Sequence, residues 1–148
     1  MIFLTGHKGL VGSSLAKTLI KNKIKFKTVE KKILDLQNKN KVDQYFKNNK
    51  FSAVVVCAAK VGGIFANRTM PYDFIYKNLQ IQNALINAAI ENKVKKVIFL
   101  GSSCIYPKFS KQPMKESFLM NGDVEFTNRS YAIAKIAGLE MLWASNRQ

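Results

Sequence analysis

"MIFLTGHKGLVGSSLAKTLI", residues 1–20, is the stretch that decides the fold. "MIFLT" is an apolar run of strand length. "TGHKGLVG" follows at once and places Gly6, Gly9 and Gly12 in a G-x-x-G-x-x-G spacing. "GLVGSSLAKTLIKN" then reads as a helix, with Leu10, Val11, Leu15, Leu19 and Ile20 on one side. Strand, glycine turn and helix in direct succession suit a dinucleotide loop. Glycine permits the tight turn and the close approach of backbone to a pyrophosphate, and the helix N-terminus offers free N–H groups with a partial positive charge. The competing reading is a plain tight turn. His7, the only histidine, lies in this loop and reads as a filler beside the cofactor rather than a catalyst or metal ligand.

The same rhythm continues outward. "IKFKTVE" alternates apolar and polar residues like a half-buried strand, and "KNKVDQYFKNNK" is a short amphipathic helix carrying Val42, Tyr45 and Phe46. "FSAVVVCAA" is a continuous apolar run of the kind buried in a parallel sheet. A loop, "KVGGIFANRTM", leads to Pro71, which suits the first turn of a long helix over residues 71–93. "KVIFLGSS" is the next strand, residues 105–127 are irregular, and "RSYAIAKIAGLEMLWASN" is a final helix. Strands alternating with helices point to a Rossmann-type, doubly wound α/β fold: a parallel sheet with helices on both faces. Residues 1–148 are expected to form one NAD(P)-binding unit, incomplete at its C-terminus, because such folds ordinarily continue with further strands.

Composition narrows the class. The chain has 148 residues, 47% of them hydrophobic and 22% charged, enough for one core. Its apolar runs are too short to cross a membrane, and no secretory leader is legible, so a cytoplasmic location is expected. The net charge of +15 is mostly lysine scattered along the chain. It lacks the concentrated basic stripe of a nucleic-acid face, so no specific nucleic acid and no membrane partner is expected. Cys57 and Cys104 match no zinc spacing; no metal site is expected and each is by default a buried thiol.

The dinucleotide is ambiguous from the residues alone. Glu30, at the end of the second strand, suits the ribose 2′-hydroxyl of NAD. Lys8, Lys31 and Lys32 suit a 2′-phosphate instead and favour NADP. On the last helix, Tyr131 and Lys135 stand one turn apart on the same face. A lysine cation beside a phenol favours the phenolate and equips it to exchange protons with a carbonyl or alcohol oxygen. A third feature is "GSSCIYP", residues 101–107, where Ser102, Ser103 and Cys104 follow the strand "KVIFL".

With "GHKGLVGS", "AAKVGGI", "DFIYKN", "FLGSSCIYPK", "KQPMKES" and "YAIAKIAG", the chain resembles the extended short-chain dehydrogenase/reductase superfamily and, within it, the GDP-L-fucose synthase family. The resemblance runs through the whole chain but covers only the N-terminal part of that family's enzymes. It implies NADP(H) as cofactor and a GDP-4-keto-6-deoxy-D-mannose substrate, epimerised at C3 and C5 and reduced at C4. It implies that Gly6, His7, Lys8, Gly9, Leu10, Val11 and Gly12 wrap the pyrophosphate, with Lys8 reaching the 2′-phosphate. Leu100, Gly101, Ser102 and Ser103 would lie along the nicotinamide half, and Lys135 on its ribose. Cys104 would exchange protons in the epimerisation, Tyr131 protonate the forming alkoxide, Ser102 hydrogen-bond the same oxygen and Lys135 tune Tyr131. The family also pairs the cysteine with a histidine beyond this helix, grips the GDP-sugar with a C-terminal domain, and forms homodimers through helices like residues 71–92 and 129–147. The resemblance therefore implies little turnover by residues 1–148 alone.

Two alternatives compete. Sugar-nucleotide 4-epimerases and 4,6-dehydratases share the glycine loop and Y-x-x-x-K, but place threonine, often with an acidic neighbour, where this chain has Ser102–Cys104. A non-catalytic dinucleotide-binding fragment would bind NADPH without turnover.

Overall fold

The computed structural model describes residues 1–148. Four strands, β1 (Ile2–Thr5), β2 (Phe26–Lys27), β3 (Ala53–Val56) and β4 (Lys96–Phe99), form one parallel sheet in the order β2-β1-β3-β4. Five helices accompany them: α1 (Leu10–Lys21), α2 (Lys39–Lys47), α3 (Ile64–Thr69), α4 (Pro71–Glu91) and α5 (Arg129–Arg147). Single 3-10 turns occupy Ser103–Ile105, Glu116–Phe118 and Phe126–Asn128.

The period of two along each strand sorts the core. Phe3, Val54 and Val56 face Val42 and Phe46 of α2 and Ala84, Leu85, Ala88 and Ala89 of α4. Leu4 and Val55, paired across β1 and β3, face the opposite way onto Leu15, Ala16 and Leu19 of α1. Both faces are therefore covered, as a doubly wound sheet requires. Phe3 stacks on Phe51 at 4.8 Å while Phe46 meets Phe51 edge-on at 5.2 Å. Burying each such ring stabilises by about 1.5–3 kcal/mol.

Strand order reverses between β1 and β3. The chain leaves β1 toward β2 on one side and returns to β3 on the other. In parallel α/β sheets a crevice opens at the carboxyl ends of the strands at such a switch point.

Several sequence expectations are corrected. Leu10, Val11 and Ile20 do not join Leu15 and Leu19 on a packed face; Leu10 is 91% and Ile20 67% exposed. At about 100° per residue these positions spread around the helix, and Leu10 and Val11 belong to the crevice. The second strand shrinks to Phe26–Lys27, and the "loop" 60–70 contains α3. Neither cysteine is fully buried. β4 is an edge strand, its Ile98 43% exposed on the face that α1 covers elsewhere.

Candidate active site

β1 delivers the chain to the crevice through Thr5, whose buried hydroxyl donates to Val55 O (3.2 Å) and accepts from Ala58 N–H (3.3 Å). This ties the ends of β1 and β3 together. Gly6 then turns with φ +69°, and a Cβ there would lie 2.6 Å from Ala58 N. A Cβ on Gly12 would lie 2.2 Å from Gly6 O. Both positions exclude any side chain. Gly9 is the N-cap of α1 and offers no side chain to its first N–H groups.

A cleft of about 760 Å³ opens over this loop. Its walls hold Gly6 through Gly12, Val29–Lys32, Leu34–Gln37, Cys57–Val61, Lys77, Ile81, Leu100, Gly101, Tyr131 and Lys135. The glycine loop, the end of β2 and the Tyr131–Lys135 face thus meet in one cavity. Ser102, Ser103 and Cys104 follow Gly101 but do not line it. A dinucleotide fits these walls: Cβ-free backbone at Gly6 and Gly12, an uncapped helix N-terminus, and apolar Leu10, Val11, Val29 and Leu34 for flat rings.

At the β2 end the two rival recognition groups hold each other. Lys8 Nζ sits 2.9 Å and Lys32 Nζ 3.5 Å from the Glu30 carboxylate. The Lys8 hydrogen bond, chiefly, keeps the Glu30 carboxyl below its usual range. Lys31 lines the cleft without a carboxylate partner.

At the β4 end, Lys135 is 3% exposed and donates from Nζ to Leu100 O at 2.8 Å, 4.5 Å above the Phe99 ring. Burial pushes its pKa down to about 8, with Cys57 acting weakly the other way. Tyr131 stands edge-on to Phe74 at 6.4 Å. Burial raises its phenol above the ordinary value, the Ser102 hydroxyl draws it back, and charge at Cys104 raises it further. The expected lowering by Lys135 is not what sets it. The ammonium lies 5.9 Å from the ring and is committed to Leu100. Ser102 caps the following 3-10 turn, accepting from Cys104 N–H at 3.2 Å. Ser103 is exposed at the start of that turn. Cys104 Sγ accepts from Asn128 Nδ2 at 3.1 Å.

Sequence reasoning missed the groups that hold these elements. Buried Gln82 of α4 donates to Ala134 O of α5 at 2.7 Å, one residue before Lys135. Gly138 lets α5 approach, since a Cβ there would lie 2.7 Å from the Phe99 ring. Asn78 clamps the loop after β3, accepting from Lys60 N–H (2.8 Å) and donating to Lys60 O (2.9 Å). Asn78 and Gln82 lie one turn apart on the buried side of α4, and that spacing is their only sequence signal. No group of three or more His, Cys, Asp or Glu side chains is placed to hold a metal ion, and no helix is long and apolar enough to cross a membrane.

A family model described as "NAD dependent epimerase/dehydratase family" matches residues 2–148. The GDP-L-fucose synthase of Escherichia coli K12 is 46% identical over 148 residues, spanning 99% of this chain and 46% of that protein. A GDP-D-glycero-L-gluco-heptose synthase from Campylobacter jejuni, solved in the presence of NADPH, matches with TM-score 0.95 and 39% identity over 99% of this chain and 44% of that one. A GDP-L-fucose synthetase from Naegleria fowleri bound to NADP matches with TM-score 0.88 and 30% identity, again over 99% and 44%. The chain spans about half the length of the curated relatives it matches.

Proposed function

The chain belongs to the NAD dependent epimerase/dehydratase family, and from that premise we propose that it carries the cofactor-binding and acid–base part of a GDP-L-fucose synthase. The reaction is NADPH-dependent 3,5-epimerisation and 4-reduction of GDP-4-keto-6-deoxy-D-mannose. The observation that carries the reading is the meeting of the glycine loop with Tyr131 and Lys135 in one cleft, with Ser102 and Cys104 on the turn beyond it.

The hydride for C4 is what NADPH supplies when bound. The chain's residues do the rest. The α1 N-terminus and Gly6–Gly12 hold the pyrophosphate, and Lys8 is the candidate for the 2′-phosphate once it leaves Glu30. Cys104 moves protons at C3 and C5, where the adjacent ketone acidifies the C–H bonds. Tyr131 gives its proton to the oxygen that becomes the C4 hydroxyl. Burial keeps that phenol protonated at neutral pH, as an acid must be. Ser102, whose hydroxyl already draws on the Tyr131 phenol, donates to the same oxygen in this reading. Negative charge at Cys104 adds to burial in holding the Tyr131 proton in place.

We extend the reading to a cytoplasmic homodimer. α4 and α5 cover one another within the chain, yet Tyr72 and Tyr76, stacked at 5.3 Å, with Ile90, Ile133 and Trp143, remain exposed. A second copy would cover that surface.

The test is a chimera in which this chain replaces the matching N-terminal residues of the E. coli GDP-L-fucose synthase. It should bind NADPH and form GDP-L-fucose from GDP-4-keto-6-deoxymannose, and lose reduction when Tyr131 becomes Phe. A chimera that binds NADPH yet yields no fucose product would sink the proposal. A second reading places a GDP-heptose in the substrate site and rests on the 0.95 TM-score match to the C. jejuni GDP-heptose synthase. A higher kcat/KM for the heptose in the same chimera would select it.

A further inference from the structure

Asn128 ends the last 3-10 turn and immediately precedes α5. Asparagine at that position ordinarily caps the helix, its side-chain oxygen accepting from a first-turn N–H. Here the side chain makes no such bond. It reaches the other way, and Nδ2 donates to Cys104 Sγ at 3.1 Å. Its Oδ1 is left buried with no partner. The side chain forgoes a cap and strands an acceptor, and what it gains is the sulfur. Local losses of this kind collect where structure serves function rather than stability.

We propose that Asn128 is the positioning residue of Cys104, aiming an amide donor at the sulfur so that the thiol keeps one orientation and meets a fixed N–H as it gives up its proton. The proposal rests on the acid–base role given to Cys104 above. Two contacts and one spacing support it. Ser102 holds the Cys104 backbone through its N–H, so the turn is fixed from one side and the sulfur from the other. The Cys104 turn also packs against α5. Tyr131 follows Asn128 by one helical turn, so a single helix start sets both the proton donor to the C4 oxygen and the donor to the sulfur. A hydrogen bond to a charged acceptor is stronger than one to a neutral acceptor, and a donor aimed beforehand needs no reorganisation when the charge develops.

Asn128→Asp keeps the shape and replaces the N–H with an oxygen that repels developing charge on sulfur. The test alkylates this chain with iodoacetamide and follows Cys104 and Cys57 separately by peptide mass spectrometry. Cys104 should react roughly tenfold more slowly in N128D, since the attacking species is the ionised sulfur, while Cys57 reacts at its original rate as the control for an intact fold. Equal or faster reaction of Cys104 with Cys57 unchanged is what a merely structural asparagine would give, and it overturns the proposal. Should N128D not fold, N128A carries the comparison: slower Cys104 alkylation supports the proposal, and equal or faster alkylation overturns it. The alkylation needs no turnover. A chimera in which Cys104→Ser leaves deuterium exchange at C3 and C5 intact would therefore refute the acid–base role of Cys104 and not the contact.

Discussion

Lys135→Met separates what the buried lysine costs the fold from what it does in the site. Folded, the Lys135 ammonium has lost most of its water, and burial lowers its pKa from 10.5 to about 8. Unfolded, it returns to 10.5. Between those values the unfolded chain holds a proton on Lys135 that the folded chain has released, so stability rises with pH across that window. Below about pH 8 both states are charged, and the folded state carries the whole penalty. At 1.36 kcal/mol per unit the full shift corresponds to about 3 kcal/mol, which relaxation of the surroundings reduces to about 2. Most of that, about 1–2 kcal/mol, should be regained on going from about pH 7.5 to about pH 9.5. Methionine fills the same channel, has no proton to lose, and gives up the bond to Leu100 O. The two effects nearly offset at neutral pH, since a hydrogen bond from a charged donor is worth about 1.5–3 kcal/mol. The diagnostic quantity is therefore the difference of differences. Urea unfolding followed by circular dichroism should show the wild type gaining about 1–2 kcal/mol on K135M as the pH is raised, because titrations common to both proteins cancel. Lys135→Arg, charged throughout, should also gain nothing. Parallel behaviour of wild type and K135M would refute a desolvated ammonium at this position.

Three further outcomes follow from the same geometry. Gly12→Ala puts a methyl 2.2 Å from Gly6 O and should abolish NADPH binding in a fluorescence titration, whereas Gly9→Ala, with 3.3 Å of room and an ordinary φ, should retain it. Glu30→Gln releases Lys8 and Lys32, and should tighten NADPH binding several-fold without tightening NADH binding, the gain fading at high salt; equal gains for both cofactors would exclude a 2′-phosphate role for these lysines. Gln82→Leu should cost about 1 kcal/mol for the lost bond to Ala134 O, and Gln82→Ala about 2–3 kcal/mol because it also leaves a cavity, both read from urea midpoints; an alanine variant no less stable than the leucine one would deny that Gln82 fills the α4–α5 seam.

How much of this was legible in the sequence depends on the kind of signal each residue leaves. The strand–glycine–helix succession at Met1–Ile20 and the run "FSAVVVCAA" were readable because burial on both faces leaves long apolar runs and because nothing but glycine fits at Gly6 and Gly12. The second strand is shorter than its alternation suggests. "IKFKTVE" alternates well, but only Phe26 and Lys27 find partners on β1. Leu10 and Val11 look like core residues because a cleft for flat apolar rings and a core use the same side chains. The pairing of Lys8 with Glu30 could not be foreseen, because the two lie on different strand ends that only the sheet order brings together.

The groups that were illegible share one chemistry. Asn78, Gln82 and Asn128 are uncharged amides in a chain rich in lysine and asparagine, where one more amide carries no compositional contrast. Each spans a joint between elements: Asn78 joins α4 to the loop after β3, Gln82 joins α4 to α5, and Asn128 joins the start of α5 to the Cys104 turn. The proposed site residues sit on just these parts, Cys104 on a 3-10 turn and Tyr131 and Lys135 on α5. A charged tie at such a joint would have shifted the site's own titrating groups, since burial has already brought the Lys135 pKa down to about 8. An amide fixes the same distance with no net charge. The site can therefore be held by Asn78, Gln82 and Asn128 without disturbing the proton chemistry proposed for Tyr131 and Cys104.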